Sequence, residues 1–229
     1  MIGIIGAMSV EIEGIQARIE QAETRVIGGV SYVSGKLCGR DVVAAQCGIG
    51  KVNAAICAQT MILTYKPELI VNSGVGGSLS GELTFGDIAI ARDLVQHDVD
   101  TSPLGDPVGL VSTINKINFE CDERAVSLID EIVRDMDGVS GSIGTIASGD
   151  QFIASGERKE WIVRQFNAVA CEMEGGAIAQ VCAVNGVPCA VIRAISDNAD
   201  DESHMDYGQF VQMAAARSIE VLLNLLKKY

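Results

Sequence analysis

The sequence predicts an α/β protein: a single-domain three-layer sandwich with a mixed central β-sheet flanked by helices. Short β-rich runs alternate with segments of helical period along the chain, as in a sheet covered by helices. The last such segment has apolar residues at 211, 214, 215, 219, 222, 223 and 226, one face of a helix laid on a sheet. Two strand-like runs near residues 26–47 follow each other with no helix between them, which argues against a purely parallel sheet.

In order, residues 2–5 read as a buried strand and 9–19 as a helix with Ser9 as its N-cap. Residues 26–37 and 42–47 read as paired strands joined through Gly39-Arg40-Asp41, and 52–63 as a helix of small residues. Residues 69–72 and 87–95 are apolar enough for strands, whereas 98–110 is polar, carries Pro103 and Pro107, and reads as a loop. Helices are expected over 125–135 and 156–165, with a strand over 142–147 between them. A short strand at 169–172 leads into a helix at 174–184, and a strand at 187–195 precedes the final helix at 206–227.

Length and composition bound the function. One domain over residues 1–229 is expected, since a chain of this length can build one sizeable core. Seventeen basic against 30 acidic residues give a net charge of −13, which argues against nucleic acid or an anionic membrane as partner. Apolar residues make up 48% and aromatics 4%, so the core is one of Ile, Val, Leu and Ala. The seven cysteines, Cys38, Cys47, Cys57, Cys121, Cys171, Cys182 and Cys189, include no C-x-x-C pair. They read as reduced thiols, mostly buried, in a cytoplasmic protein. His97 and His204 are the only histidines and neither has a cysteine at ligand spacing, so no metal site is expected. The first residues lack the basic and long apolar regions of a secretion signal.

Ligands of open α/β sheets lie beyond the carboxyl ends of strands. Four such places stand out: Gly6-Ala7-Met8, Gly48-Ile49-Gly50-Lys51, Gly74-Val75-Gly76-Gly77 and Ser196-Asp197. The second fails as a phosphate-binding loop because Ala45 and Val52 stand where Gly and Ser/Thr are required. The third fails as a dinucleotide fingerprint at Leu79. What remains for these glycines is close approach to a ligand, or simply tight turns.

Glu11 lies roughly 70° from the centre of the Ile12–Ile15–Ile19 stripe and Glu13 about 130° from it, so Glu11 belongs at the buried edge and Glu13 in solvent. An acid in the first helical turn suits the helix dipole as well as catalysis. Asp197, at the end of an apolar strand, fits a turn or cap as well as a reacting acid. The run Asp197, Asp200, Asp201, Glu202 lacks calcium-loop spacing and reads as a solvated loop. Glu172-Met173-Glu174 places two carboxylates on one side of a strand-to-helix junction, which packing alone does not require. Phe152, beside the turn Ser148-Gly149-Asp150, fits core packing or stacking on a base.

Taken together and in this order, these motifs resemble the 5′-methylthioadenosine/S-adenosylhomocysteine nucleosidases of the nucleoside phosphorylase superfamily, along nearly the whole chain. Further matching segments are Gly86-Asp87-Ile88, His97-Asp98 and Arg193-Ala194-Ile195-Ser196-Asp197, with Ser203-His204 beyond. The resemblance implies that Glu11 activates the attacking water and Asp197 protonates the adenine. It implies that Glu174 holds the ribose hydroxyls, with Met173 against the sugar. Phe152 would stack on the adenine, the Ile153 backbone would read its edge, and Gly77 would lie close to the ligand. Met8, Ile49 and Tyr207 would line the 5′ pocket, and Arg193 and Ser196 complete the implied substrate-binding set. A homodimer is also implied, in which the partner's loop near residues 101–104 closes that pocket. Val75, Leu104 and Tyr207 depart from the common pattern and bear on the shape of the 5′ end.

Breaking an N-glycosidic bond places positive charge on the ribose and negative charge on the leaving purine. An acid on one side and a base with water on the other is the logic of inverting glycosidases, and it needs no metal or organic cofactor. The expected partner is a small nucleoside. Rival readings are a phosphate-dependent phosphorylase, a nucleosidase for another 5′-substituted adenosine such as 6-amino-6-deoxyfutalosine, and a non-catalytic nucleoside sensor.

Overall fold

The computed structural model describes residues 1–229. Its strands are β1 (Ile2–Gly6), β2 (Glu20–Ile27), β3 (Val30–Leu37), β4 (Arg40–Gln46), β5 (Leu69–Ser78), β6 (Ile88–Gln96), β7 (Phe119–Glu120), β8 (Gly141–Ser148), β9 (Ala168–Glu172) and β10 (Cys189–Asp197). Its helices are α1 (Ser9–Gln16), α2 (Lys51–Tyr65), α3 (Glu123–Arg134), α4 (Gly156–Phe166), α5 (Gly175–Asn185) and α6 (Ser203–Lys228). The strands join in the order β10-β6-β8-β9-β5-β1-β4-β3-β2, with β7 on β6. Parallel and antiparallel pairs both occur, so the expected mixed sheet flanked by helices is borne out.

Strand β5 organises the sheet. It pairs in parallel with β10 from Ile70 to Gly77, which closes β10, β6, β8, β9 and β5 into a ring and leaves β1, β4, β3 and β2 as an extension. Along its other edge, β1 pairs with Leu69 to Asn72, and β9 meets only Gly77 and Ser78. Between them β5 residues 73–76 have no strand on that edge, and the gap opens at the carboxyl ends of β1, β9 and β10.

Alternation along the strands builds two apolar layers. Ile2, Ile4, Val42, Ala44, Leu69 and Val71 face α1, α3 and α6, packing on Ile12, Ile15, Ile129, Leu222 and Leu225. Ile5, Val43, Ala45 and Ile70 face α2 and α5, where Ala54, Ala58, Ala177 and Ala179 keep the side chains short. Six of the seven cysteines are buried and Cys38 is exposed. No helix is long and apolar enough to cross a membrane.

Four expectations are corrected. Residues 26–37 are not one strand: Gly28 and Gly29, at φ 59° and 81°, turn the chain between β2 and β3. Residues 74–77 are not a turn but the buried end of β5. Residues 98–110 are not wholly loop, since Ser102–Leu104 forms a single 3-10 turn. Ser9 is not the cap of α1, because Met8 is the N-cap residue and the Glu11 carboxylate takes up the neighbouring amides.

Candidate active site

The gap beside β5 opens into a cavity of about 500 Å³. Ala7, Met8 and Glu11 reach it from the end of β1 and the first turn of α1, and Ile49 from the turn before α2. Val75, Gly76 and Gly77 form its floor. Gln151, Phe152 and Ile153 come from the loop after β8, and Cys171, Glu172, Met173 and Glu174 from the β9–α5 junction. Ser196 and Asp197 end β10, and His204 and Tyr207 lie on one side of the start of α6.

Glu11 is 4% exposed, while Glu13 faces solvent, as the helical phase predicts. Its Oε2 accepts from the Ala7 amide at 2.7 Å and the Met8 amide at 2.9 Å. Its Oε1 accepts from the Val75 amide at 3.0 Å, a donor that the missing neighbour strand leaves free. A Cβ on residue 74 would stand 2.5 Å from that oxygen, so glycine is required there for room and not for its torsions.

Asp197 is 3% exposed. Its Oδ2 accepts from the Ser196 hydroxyl at 2.9 Å and its Oδ1 from the Ala199 amide at 3.0 Å. Burial raises its pKa; the Ala199 amide and the Ser196 and Ser203 hydroxyls oppose the rise, and the Asp206 charge adds to it. A Cβ on residue 77 would lie 2.7 Å from Asp197 Oδ1. Gly77 therefore leaves space for the second acid as Gly74 does for the first.

Glu174 ends the short strand-to-helix junction, and its Oε1 accepts from the Gly50 amide at 2.8 Å. Burial and the neighbouring Glu172 charge push it up to about 7, against the pull of Arg193 and the Gly50 amide. Glu172 behaves oppositely. Burial would raise it, but Arg193, the Ser148 hydroxyl and the amides of Gly175 and Glu174 together hold it below the usual carboxylate range. Glu172 is thus a fixed anion paired with Arg193, and the Arg193 guanidinium lies 3.9 Å from Glu174.

Eleven of the twelve predicted site residues line this one cavity: Met8, Glu11, Ile49, Gly77, Phe152, Ile153, Met173, Glu174, Ser196, Asp197 and Tyr207. Arg193 is the correction. It is 1% exposed and stands behind the wall, bonded to Asn72 and Glu172, where its charge reaches the cavity only through the carboxylates. Phe152, half-exposed at the mouth, meets Tyr207 edge-on with centroids 5.7 Å apart, which leaves a ring face free for stacking. Sequence reasoning missed Gln151 and Cys171 as wall residues, and no local pattern marks either.

A family model described as the phosphorylase superfamily matches residues 1–227. A 5′-methylthioadenosine/S-adenosylhomocysteine nucleosidase of Shewanella halifaxensis is 37% identical over 228 residues, 99% of each chain. The crystal structure of a nucleosidase of the same name from Neisseria meningitidis, in complex with methylthio-immucillin-A, superposes with a TM-score of 0.96 at 33% identity, covering 100% of this chain and 99% of the other. A futalosine hydrolase of Helicobacter pylori superposes with a TM-score of 0.94 at 38% identity, covering 100% and 97%.

Proposed function

The chain belongs to the phosphorylase superfamily and, within it, to the 5′-methylthioadenosine/S-adenosylhomocysteine nucleosidases; from that premise we propose how residues 1–229 work as one nucleosidase domain. The reaction is hydrolysis of the N-glycosidic bond of 5′-methylthioadenosine and S-adenosylhomocysteine, releasing adenine and the 5′-thioribose product. The observation that carries this reading is the pair of buried acids, Glu11 and Asp197, on the wall of one cavity.

Asp197 keeps its proton to higher pH than an ordinary aspartate and gives it to the departing purine, making it a better leaving group. Glu11, fixed by three backbone amides, receives the proton of the attacking water. Glu174 holds the ribose hydroxyls and, once ionised, stabilises the positive charge that grows on the sugar. Met173 lies against the ribose, Phe152 stacks on the base, and the backbones of Ile153 and Gly77 border it. Ser196 steadies Asp197, while Met8, Ile49 and Tyr207 surround the 5′-substituent.

Glu11, Glu172, Glu174 and Asp197 all face the cavity, and no Lys or Arg lines it. Such a wall offers phosphate none of the cationic groups needed to hold it, so water is the acceptor. Adenine release from both nucleosides in phosphate-free buffer tests the reading; strict dependence on phosphate would replace it with phosphorolysis. A second reading, cleavage of another 5′-substituted adenosine such as 6-amino-6-deoxyfutalosine, is favoured by the likeness to a futalosine hydrolase. A panel of nucleosides ranks the two.

A second copy of the chain is the occupant that best fits one surface. Val52, Ile56 and Leu63 are 68%, 51% and 67% exposed along one side of α2. Ile49, 54% exposed, belongs to that apolar row and also to the cavity wall, so covering the row also closes the site. An Ile56→Glu chain that still sediments as a dimer would remove this assignment. The six buried thiols suit a reducing compartment such as the cytoplasm.

A further inference from the structure

Behind the ribose and purine ends of the cavity, three segments far apart in the sequence close into a ring of charge-assisted bonds. The Lys51 ammonium meets Asp98 Oδ1 at 2.6 Å and Gln96 Oε1 at 3.1 Å. Asp98 Oδ2 accepts from the Asp150 amide at 2.9 Å. Asp150 Oδ1 accepts from the Lys51 amide at 2.7 Å, which returns the ring to its first residue. The Lys51 and Asp98 side chains are each 16% exposed, so the pair is better shielded than a surface ion pair.

The ring touches the site on two sides. Gly50, next to Lys51, donates the amide that holds Glu174. Phe152 and Ile153 follow closely on Asp150. The far end of their loop is tied as well. Arg158 Nη2 lies 3.2 Å from His97 Nδ1, its guanidinium stacks on Trp161 at 4.0 Å, and Lys159 donates to the Asn198 carbonyl at 2.6 Å. Neighbours His97 and Asp98 thus hold the loop at both ends. The fit has little slack: a Cβ on Gly50 would come within 2.9 Å of Asp150 Oδ1, and one on Gly149 within 2.4 Å of the His97 ring.

We propose that Asp98 is a positioning residue for the reaction. With Lys51 and Asp150 it sets both the Gly50 amide that holds Glu174 and the loop that carries Phe152 and Ile153, so the ribose and purine ends of the site are registered to each other. Each Asp98 oxygen serves one ring bond, and an asparagine has only one acceptor to offer the two donors. The choice of ligands in the test rests on the nucleosidase reading.

The test compares Asp98→Asn and Lys51→Met with Lys51→Arg, using calorimetric binding of adenine and steady-state cleavage of 5′-methylthioadenosine. The adenine Kd and the KM should rise about tenfold in the first two variants, the scale of one lost charge-assisted bond, with kcat falling less than KM rises. Lys51→Arg should recover most of the loss, and the Asp98→Asn/Lys51→Met double variant should be far less than additive. Lowered Tm with adenine affinity within about twofold of the parent chain in both single variants overturns the proposal. Lys51→Met carries the test if Asp98→Asn fails to fold. A parent chain that binds adenine yet cleaves no nucleoside would sink the functional reading, while the adenine arm would still decide the role of Asp98.

Discussion

Glu11 and Asp197 occupy room left by two missing side chains of one strand: a Cβ at Gly74 would meet Glu11 Oε1 at 2.5 Å, and one at Gly77 would meet Asp197 Oδ1 at 2.7 Å. The two glycines are three residue steps apart on the strand, a rise of about 10 Å. One strand thus makes room for both acids, which line the same cavity.

Gly77→Ala tests this clearance. The strand torsions accept alanine, so the fold should survive, but the new methyl displaces the Asp197 carboxylate. A shift of this size in a general acid costs roughly 100-fold in kcat/KM, read as adenine release. Near-parent turnover would show that Asp197 has slack and that glycine is not needed beside it.

Asp197→Asn and Glu11→Gln keep the size of the side chain while removing the proton exchange and one of its two acceptor oxygens. Each should lower kcat by about 100- to 10,000-fold, and Asp197→Asn should still bind 5′-methylthioadenosine in a calorimeter. Turnover close to that of the parent chain in either variant removes that residue from its acid or base role.

Much of this site was legible in the sequence because its signals were local. Helical phase alone sorted buried Glu11 from solvated Glu13, and the ends of apolar strands marked Asp197 and Glu172-Met173-Glu174. Residues 74–77 misled because glycine usually signals a turn, whereas here Gly74 and Gly77 are demanded by carboxylates that arrive from the opposite ends of the chain. Arg193 misled in a different way. Only the resemblance places it at the ligand, and Glu172 and Asn72 hold it behind the wall. The amide that anchors Glu11 is free only because β1 and β9 part along β5, a fact of strand order that no short window of sequence contains.

Glu174 links stability to pH. Its carboxyl rises from an ordinary 4.5 to about 7 in the folded chain, so the folded state binds this proton more tightly than the unfolded one. Its contribution is complete below pH 4.5 and is lost as pH rises through about 7. Glu174→Gln, which needs no ionisation, should therefore gain on the parent chain between those limits, by ~3 kcal/mol at most. Urea titrations of both chains at pH 5 and pH 8 measure it, and an equal difference at the two pH values contradicts the linkage. The proposed acid role sets a second constraint: for Asp197 to hold its proton, kcat should fall on the alkaline side, and Asp197→Asn should lose that limb together with its rate.

In the proposed site, Tyr207 should govern what the 5′ end accepts. Its hydroxyl donates to Met8 Sδ at 3.0 Å, and a thioether is a weak acceptor, so the hydroxyl can leave it for a better one. Its pKa is raised by burial and by the charges of Glu11, Asp197 and Glu174, which keeps it a proton donor through the neutral range. A 5′-substituent ending in a polar group would offer the hydroxyl such an acceptor, and a methylthio group would not. Tyr207→Phe should then lower kcat/KM for S-adenosylhomocysteine and 6-amino-6-deoxyfutalosine relative to 5′-methylthioadenosine by about three- to tenfold, the worth of one neutral hydrogen bond. The ratio is the measurement that matters, since packing changes shared by all substrates cancel in it. A ratio that does not move would show that the hydroxyl stays on Met8 when the nucleoside binds, and that Tyr207 acts through its ring alone.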